Sequence, residues 1–155
     1  MPNWIKFEQC MDLVLPPSRR GDTNAYCRSV HENARLGTLN NAAAHKLIAA
    51  QTTRTGLAGG LVAARYFKLN LQNLVRGNQN TLEFRGHGGS CDAAKIEFWV
   101  RFLNAFVEGY VKYPPGDSFA DGRSERYMFD RMFEWVVRTD WALCNHYEAR
   151  IRDFL

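Results

Sequence analysis

The sequence predicts an α+β fold in which helix outweighs strand, on three observations. Ile96, Trp99, Val100, Leu103, Phe106, Val107 and Tyr110 recur at i, i+3, i+4 and i+7, the apolar stripe of an amphipathic helix. Thr81-Leu82-Glu83-Phe84-Arg85 alternates with period two, which suits a strand packed on one face. A chain of 155 residues holds apolar surface for one core and would starve a second. Residues 1–155 are therefore expected to form a single domain, a small antiparallel sheet packed against several helices.

Pro16-Pro17 and Pro114-Pro115 are the clearest breaks, because proline ends helices and restricts the residue before it. Ahead of the first, Ile5, Met11, Val14 and Leu15 give residues 4–15 a roughly helical spacing. Residues 18–37 are polar, rich in arginine and without period, and are expected as loop. Asn40 or Asn41 can cap an alanine-rich helix that should end near Thr52. Residues 61–69 and 81–85 alternate as strands around turn chemistry at Arg76-Gly77-Asn78-Gln79-Asn80, which predicts a hairpin. Ser90 or Asp92 starts the long helix, and after a loop over residues 114–122 Met128, Met132, Trp135 and Val136 predict another. Trp141, Cys144, Tyr147, Ile151 and Leu155 carry helical spacing past Thr139-Asp140, which either caps a separate helix or lies within one long one.

Composition narrows the function classes. With 46% hydrophobic and 23% charged residues no segment is polar enough to argue disorder, so the whole chain is expected to fold. No apolar stretch approaches the roughly 20 residues of a membrane span, and the start lacks the pattern of a secretory signal, which predicts a cytoplasmic protein without membrane association. Cys10, Cys27, Cys91 and Cys144 form no C-x-x-C pair, so neither a disulfide framework nor a zinc ribbon is suggested. Scattered arginines and lysines give a net charge of +4, which modestly favours an acidic partner. No nucleic-acid motif accompanies them, and no specific nucleic acid is predicted.

Two adjacent features can carry chemistry. Period-two geometry sends Leu82 and Phe84 to one face of their strand and Glu83 and Arg85 to the other. The following Gly86-His87-Gly88-Gly89-Ser90 joins that strand to a helix N-terminus, where backbone N–H groups and the helix dipole favour an anion such as phosphate. Both have bland counterparts: a same-face ion pair on a solvated sheet, and a tight turn needing glycine's freedom. His87 with Cys91, or Cys144 with His146, matches no zinc module, and Cys27 and Cys91 are better read as structural thiols than as nucleophiles. Trp99, Phe102, Phe106, Trp135 and Trp141 are expected in the core.

Thr81-Leu82-Glu83-Phe84-Arg85-x-His87-x-Gly89-Ser90, followed by Lys95-Ile96 and Trp99-Val100, resembles the signature of the amidoligase family, relatives of glutamine synthetase. Leu15-Pro16-Pro17-Ser18-Arg19-Arg20, Tyr26-Cys27-Arg28 and Arg65-Tyr66-x-x-Leu69-Asn70-Leu71 are similar to that family's preceding segments, so the likeness spans about residues 7–108. It implies that Glu83 is a ligand to Mg²⁺ and that Arg85 faces the substrate or the transferring phosphoryl group. It also implies that Arg19 and Arg65 face nucleotide phosphates or an acyl phosphate, with Gly86, Gly88, Gly89 and Ser90 as the cofactor-binding loop.

The same resemblance carries a departure. Such ligases hold further metal ligands, a Glu-x-Glu motif and a histidine segment, on earlier strands, and the likeness places this chain after them. Mg²⁺ wants near-octahedral oxygen ligation, which Glu83 alone does not supply. The expectation is a truncated, non-catalytic domain that needs no cofactor as an isolated chain and acts on a protein partner or by self-association. Because amidoligase-like genes occur in phages and mobile elements, that partner is read as a host nucleoprotein complex, with the chain an inhibitor of a defence system such as CRISPR-Cas. The competing expectation is an ATP- and Mg²⁺-dependent carboxylate–amine ligase completed by another chain or protomer.

Overall fold

The computed structural model describes residues 1–76, 79–112, 123–137 and 140–154. Helix α1 (Pro2–Met11) passes into one 3₁₀ turn (Asp12–Val14) and stops, because the following proline drives Leu15 to extended backbone. It lies at the centre of the molecule: Trp4, Ile5, Phe7, Cys10 and Met11 are buried, and neighbouring helices pack on it. Residues 18–37 are irregular apart from short 3₁₀ turns, as expected. Helix α2 (Asn41–Ala49) starts where the sequence placed it, with the Asn40 side chain accepting from Ala43 N at 2.9 Å.

The predicted strand over residues 61–69 is corrected. Thr55–Leu61 forms a π-helical segment, and regular pairing is limited to β1 (Leu69–Asn70) and β2 (Glu83–Phe84), antiparallel with Leu69 opposite Phe84 and Asn70 opposite Glu83. Burial does not alternate along the segment: residues 63–66 are all exposed, whereas Phe67, Lys68, Leu69, Asn70, Leu71 and Gln72 are all buried, so period two does not govern it. Gln72 holds the π-helical segment in place, its Nε2 donating to Ala58 O at 2.6 Å and Val62 O at 2.9 Å. A short helix, α3 (Asn73–Arg76), opens the predicted turn, of which Gly77 and Asn78 lie outside the described residues.

Helix α4 (Ala93–Lys112) begins after Asp92, whose Oδ1 accepts from Lys95 N at 3.2 Å. Its buried face is the predicted one in part, with Trp99 and Leu103 packed against the core. Phe102, Phe106 and Gly109 enter the core, while Ile96, Val100 and Val107 of the predicted stripe stay exposed, Val100 by 50%. The apolar arc of this helix is wider than one packed face, and the domain covers only part of it.

Helix α5 (Glu125–Met132), capped by Ser124, runs into a π-helical turn (Phe133–Val137). Helix α6 (Trp141–Asp153) is separate, and Asp140 caps it by accepting from Leu143 N at 3.0 Å. The predicted loop over 114–122, together with Thr139 and Leu155, falls outside the described residues. Arg150 Nε donates to Val14 O at 2.7 Å and closes α6 against the end of α1. Trp135 and Trp141, expected in the core, are instead exposed, Trp141 by 77%, whereas Trp99 is half-buried. The α+β class holds, with a two-stranded antiparallel sheet among the described residues, and no described helix is long and apolar enough to cross a membrane.

Gly109 fixes how closely α4 approaches its neighbour. A Cβ there would sit 1.8 Å from Val136 O, so backbone would have to move. Alanine in a helix interior normally gains up to about 1 kcal/mol over glycine, but overpacking costs about 1–3 kcal/mol or more. Gly109→Ala is therefore expected to lower the urea midpoint by the equivalent of about 2 kcal/mol, against the sign helix propensity alone predicts.

Candidate arginine–carboxylate site

Three extended stretches lie side by side and bring distant residues together. Residue 28 pairs with the 66–68 stretch through Arg28 N to Tyr66 O at 2.7 Å and Lys68 N to Arg28 O at 2.8 Å. At the same residue Lys68 O accepts from Arg85 N at 2.7 Å. The irregular residues 18–37 are thereby carried onto the strand that holds Glu83 and Arg85.

Glu83 and Arg85 do share a face, and they use it on each other. Arg85 Nη1 donates to Glu83 Oε1 at 2.8 Å, and Asn70 Nδ2, cross-strand from Glu83, donates to Oε2 at 2.7 Å. Arg85 Nε donates to Tyr26 O at 2.9 Å, and Arg19 Nη1 donates to Arg85 O at 3.1 Å. The Tyr66 ring has the Arg85 guanidinium 5.8 Å and the Arg65 guanidinium 5.4 Å from its centroid, with Tyr26 packed edge-on at 5.6 Å. Arg19, Glu83 and Arg85 are thus linked by hydrogen bonds, and Arg65 approaches them only through the Tyr66 ring that it shares with Arg85.

The Gly86 to Ser90 loop is less demanding than either reading of it. Gly21 alone among the described glycines has positive φ, so Gly86, Gly88 and Gly89 adopt backbone open to other residues. Asp92 serves the first turn of α4 with its own carboxylate, which lies where the predicted anion would be drawn. Backbone N–H groups from Lys95 above all, and then the Lys95 charge, hold that carboxyl below its usual range. His87 stacks on Trp99 with centroids 5.0 Å apart, and burial lowers its pKa. Cys27 is buried and its thiol is pushed up by burial, which suits a structural role.

A buried ion pair fastens this arrangement to the core. Lys68 Nζ reaches Asp12 Oδ1 at 2.6 Å and Oδ2 at 2.8 Å, and Gly21 N donates to the same Oδ2 at 2.6 Å. Asp12 thus ties the end of α1 both to the central stretch and to the loop that presents Arg19.

A family model described as "Putative amidoligase enzyme" matches residues 1–107. The chain belongs to this amidoligase family. Among curated proteins and among solved structures, none matches it.

Within this amidoligase chain the implied Mg²⁺ can be tested against the donors present. Among the described residues no three His, Cys, Asp or Glu side chains converge to hold a metal ion, and both oxygens of Glu83 already accept from Asn70 and Arg85. The donor set does not fit a catalytic Mg²⁺ held by this chain alone. Sequence reasoning missed Asn70, Tyr26, Tyr66, Asp12 and Lys68 as parts of the arrangement. Asn70, Tyr26 and Tyr66 stand in the segments that resemble the family, but their roles here were legible only once the chain's pairing was fixed.

Proposed function

We propose that this amidoligase-family domain is a binding module that works through a protein partner and does not turn over substrate on its own. The observation that carries the reading is the donor set around Glu83: among the described residues no three His, Cys, Asp or Glu side chains converge, and metal-assisted phosphoryl transfer needs several converging carboxylates. An exposed apolar stripe supports a partner. Ile96, Val100, Val107 and Val111 lie along one face of α4 in solvent, and contiguous exposed apolar surface is a common mark of protein association. The finer version, a phage or mobile-element inhibitor of a host defence complex, rests on the family resemblance alone.

Val100→Lys with Val107→Lys tests it. Both positions are exposed, so the melting curve should stay within a few degrees of the parent. Native mass measurement of protein taken from its own host should show a defined complex for the parent and the lone chain for the variant. A lone chain for the parent, or an unchanged complex for the variant, rejects the reading.

One observation favours a second reading, a carboxylate–amine ligase using ATP and Mg²⁺ whose missing carboxylates come from another chain. Arg85 pairs with Glu83 and Arg19 bonds the Arg85 carbonyl, which brings two guanidinium groups to this strand, and stabilisation of a transferring phosphoryl group requires such positive charge. It predicts magnesium-dependent nucleotide binding by the complex and none by the free domain.

A further inference from the structure

Beyond the family match, α5, the π-helical turn and α6 enclose a cavity of about 350 Å³ that lies apart from Glu83 and Arg85. Its walls are mainly apolar and aromatic. Phe129 and Phe133 meet with ring centroids 4.7 Å apart, the largely exposed Trp141 lines the same space, and the half-buried Cys144 thiol completes that side. A cavity of this size and character falls in the range of small-molecule sites.

The polar part of the lining decides the ligand. Among the described residues every charged side chain on it is a carboxylate: Asp130, Glu134, Asp140 and Glu148. Arg126 pairs with Asp130 and Glu148, Arg131 with Glu134, and Arg101 with Asp140, yet none of these arginines lines the cavity. An ionised carboxylate accepts at about four lone-pair positions, so these pairings leave acceptor capacity. Among the described residues a ligand entering here meets aromatic faces and acceptors and no lining cation. Among the described residues no three donors converge to hold a metal ion, so the complementary ligand is organic.

The geometry points to a binding site for an organic cation with a compact apolar body, of the arylalkylammonium class. The body fills the aromatic walls, and the ammonium lies against ring faces and carboxylates, where partly desolvated cation–π contact is strongest. A carboxylate or phosphate ester of the same shape would find no cation to pair with among the described lining residues.

The test uses the full chain at fixed ionic strength and three probes of matched shape: phenethylammonium, 2-phenylethanol and 3-phenylpropionate. Calorimetry and tryptophan fluorescence should show saturable binding of phenethylammonium, at least tenfold weaker binding of the alcohol, and none of the acid. Cys144→Phe, which narrows the cavity, should weaken the amine at least tenfold. Trp141→Ala, at a solvent-facing position that folding does not depend on, should weaken it several-fold and carries the test if the first variant unfolds. No binding of phenethylammonium, equal binding of the alcohol, or unchanged affinity in Trp141→Ala overturns the assignment.

Discussion

Lys68→Met should lower the free energy of unfolding by about 3–5 kcal/mol, because removing one member of a buried ion pair leaves the other charge without compensation. Lys68 is 1% exposed, and its ammonium bonds both oxygens of Asp12. Domains of this size are commonly stable by only about 5–15 kcal/mol, so the variant is expected to be marginal at 37 °C. The double variant Lys68→Met with Asp12→Asn removes both charges and keeps an acceptor for Gly21 N, so it should recover most of the loss. Urea denaturation of the three proteins measures this directly. A loss below about 1 kcal/mol in Lys68→Met would show that the pair does not fasten the arginine loop to the core.

Glu8→Gln is expected to change how stability depends on pH. Glu8 is fully buried, and its carboxyl oxygens accept from Trp4 Nε1 at 3.0 Å and Val30 N at 2.9 Å. Burial raises its pKa from 4.5 to about 7, against the opposing pull of Lys68 and of the Val30 N–H. A carboxyl with raised pKa binds its proton more tightly in the folded state. Its contribution is therefore complete below the unfolded value of 4.5 and is lost as pH rises toward about 7. A rise of that size corresponds to about 3 kcal/mol. His87 and His146, whose pKa values are lowered by burial, act in the opposite sense at the upper end of this window. The informative quantity is thus the difference between parent and Glu8→Gln: the parent should lose about 3 kcal/mol more between pH 4.5 and pH 8. Equal slopes would mean that Glu8 does not titrate in this range.

What was legible in the sequence was local. The cap at Asn40, the start of α4 at Asp92 and the shared face of Glu83 and Arg85 each depend on neighbours within a few residues, and each is found in the structure. What was not legible depends on distant chain. Lys68 reads as a solvent-facing lysine until Asp12, 56 residues away in sequence, is placed beside it. Arg85 finds the Tyr26 carbonyl across 59 residues, which no spacing rule reveals. The buried face of α4 was legible only in part for a related reason: Phe102, Phe106, Trp99 and Leu103 meet the core as expected, while Ile96, Val100 and Val107 belong to an apolar arc wider than the face that its neighbours cover. Asp140 could be read as either cap or helix interior, and the tertiary break before α6 chose cap.

Among the described residues no side chains converge with Glu83 to hold a metal ion within this chain. Titrating the isolated protein with ATP and Mg²⁺ in a calorimeter tests it most directly. The account predicts no saturable heat above that of dilution for the parent and the same for Glu83→Gln. Saturable, magnesium-dependent binding by the parent that disappears in Glu83→Gln would contradict it and make Glu83 a metal ligand.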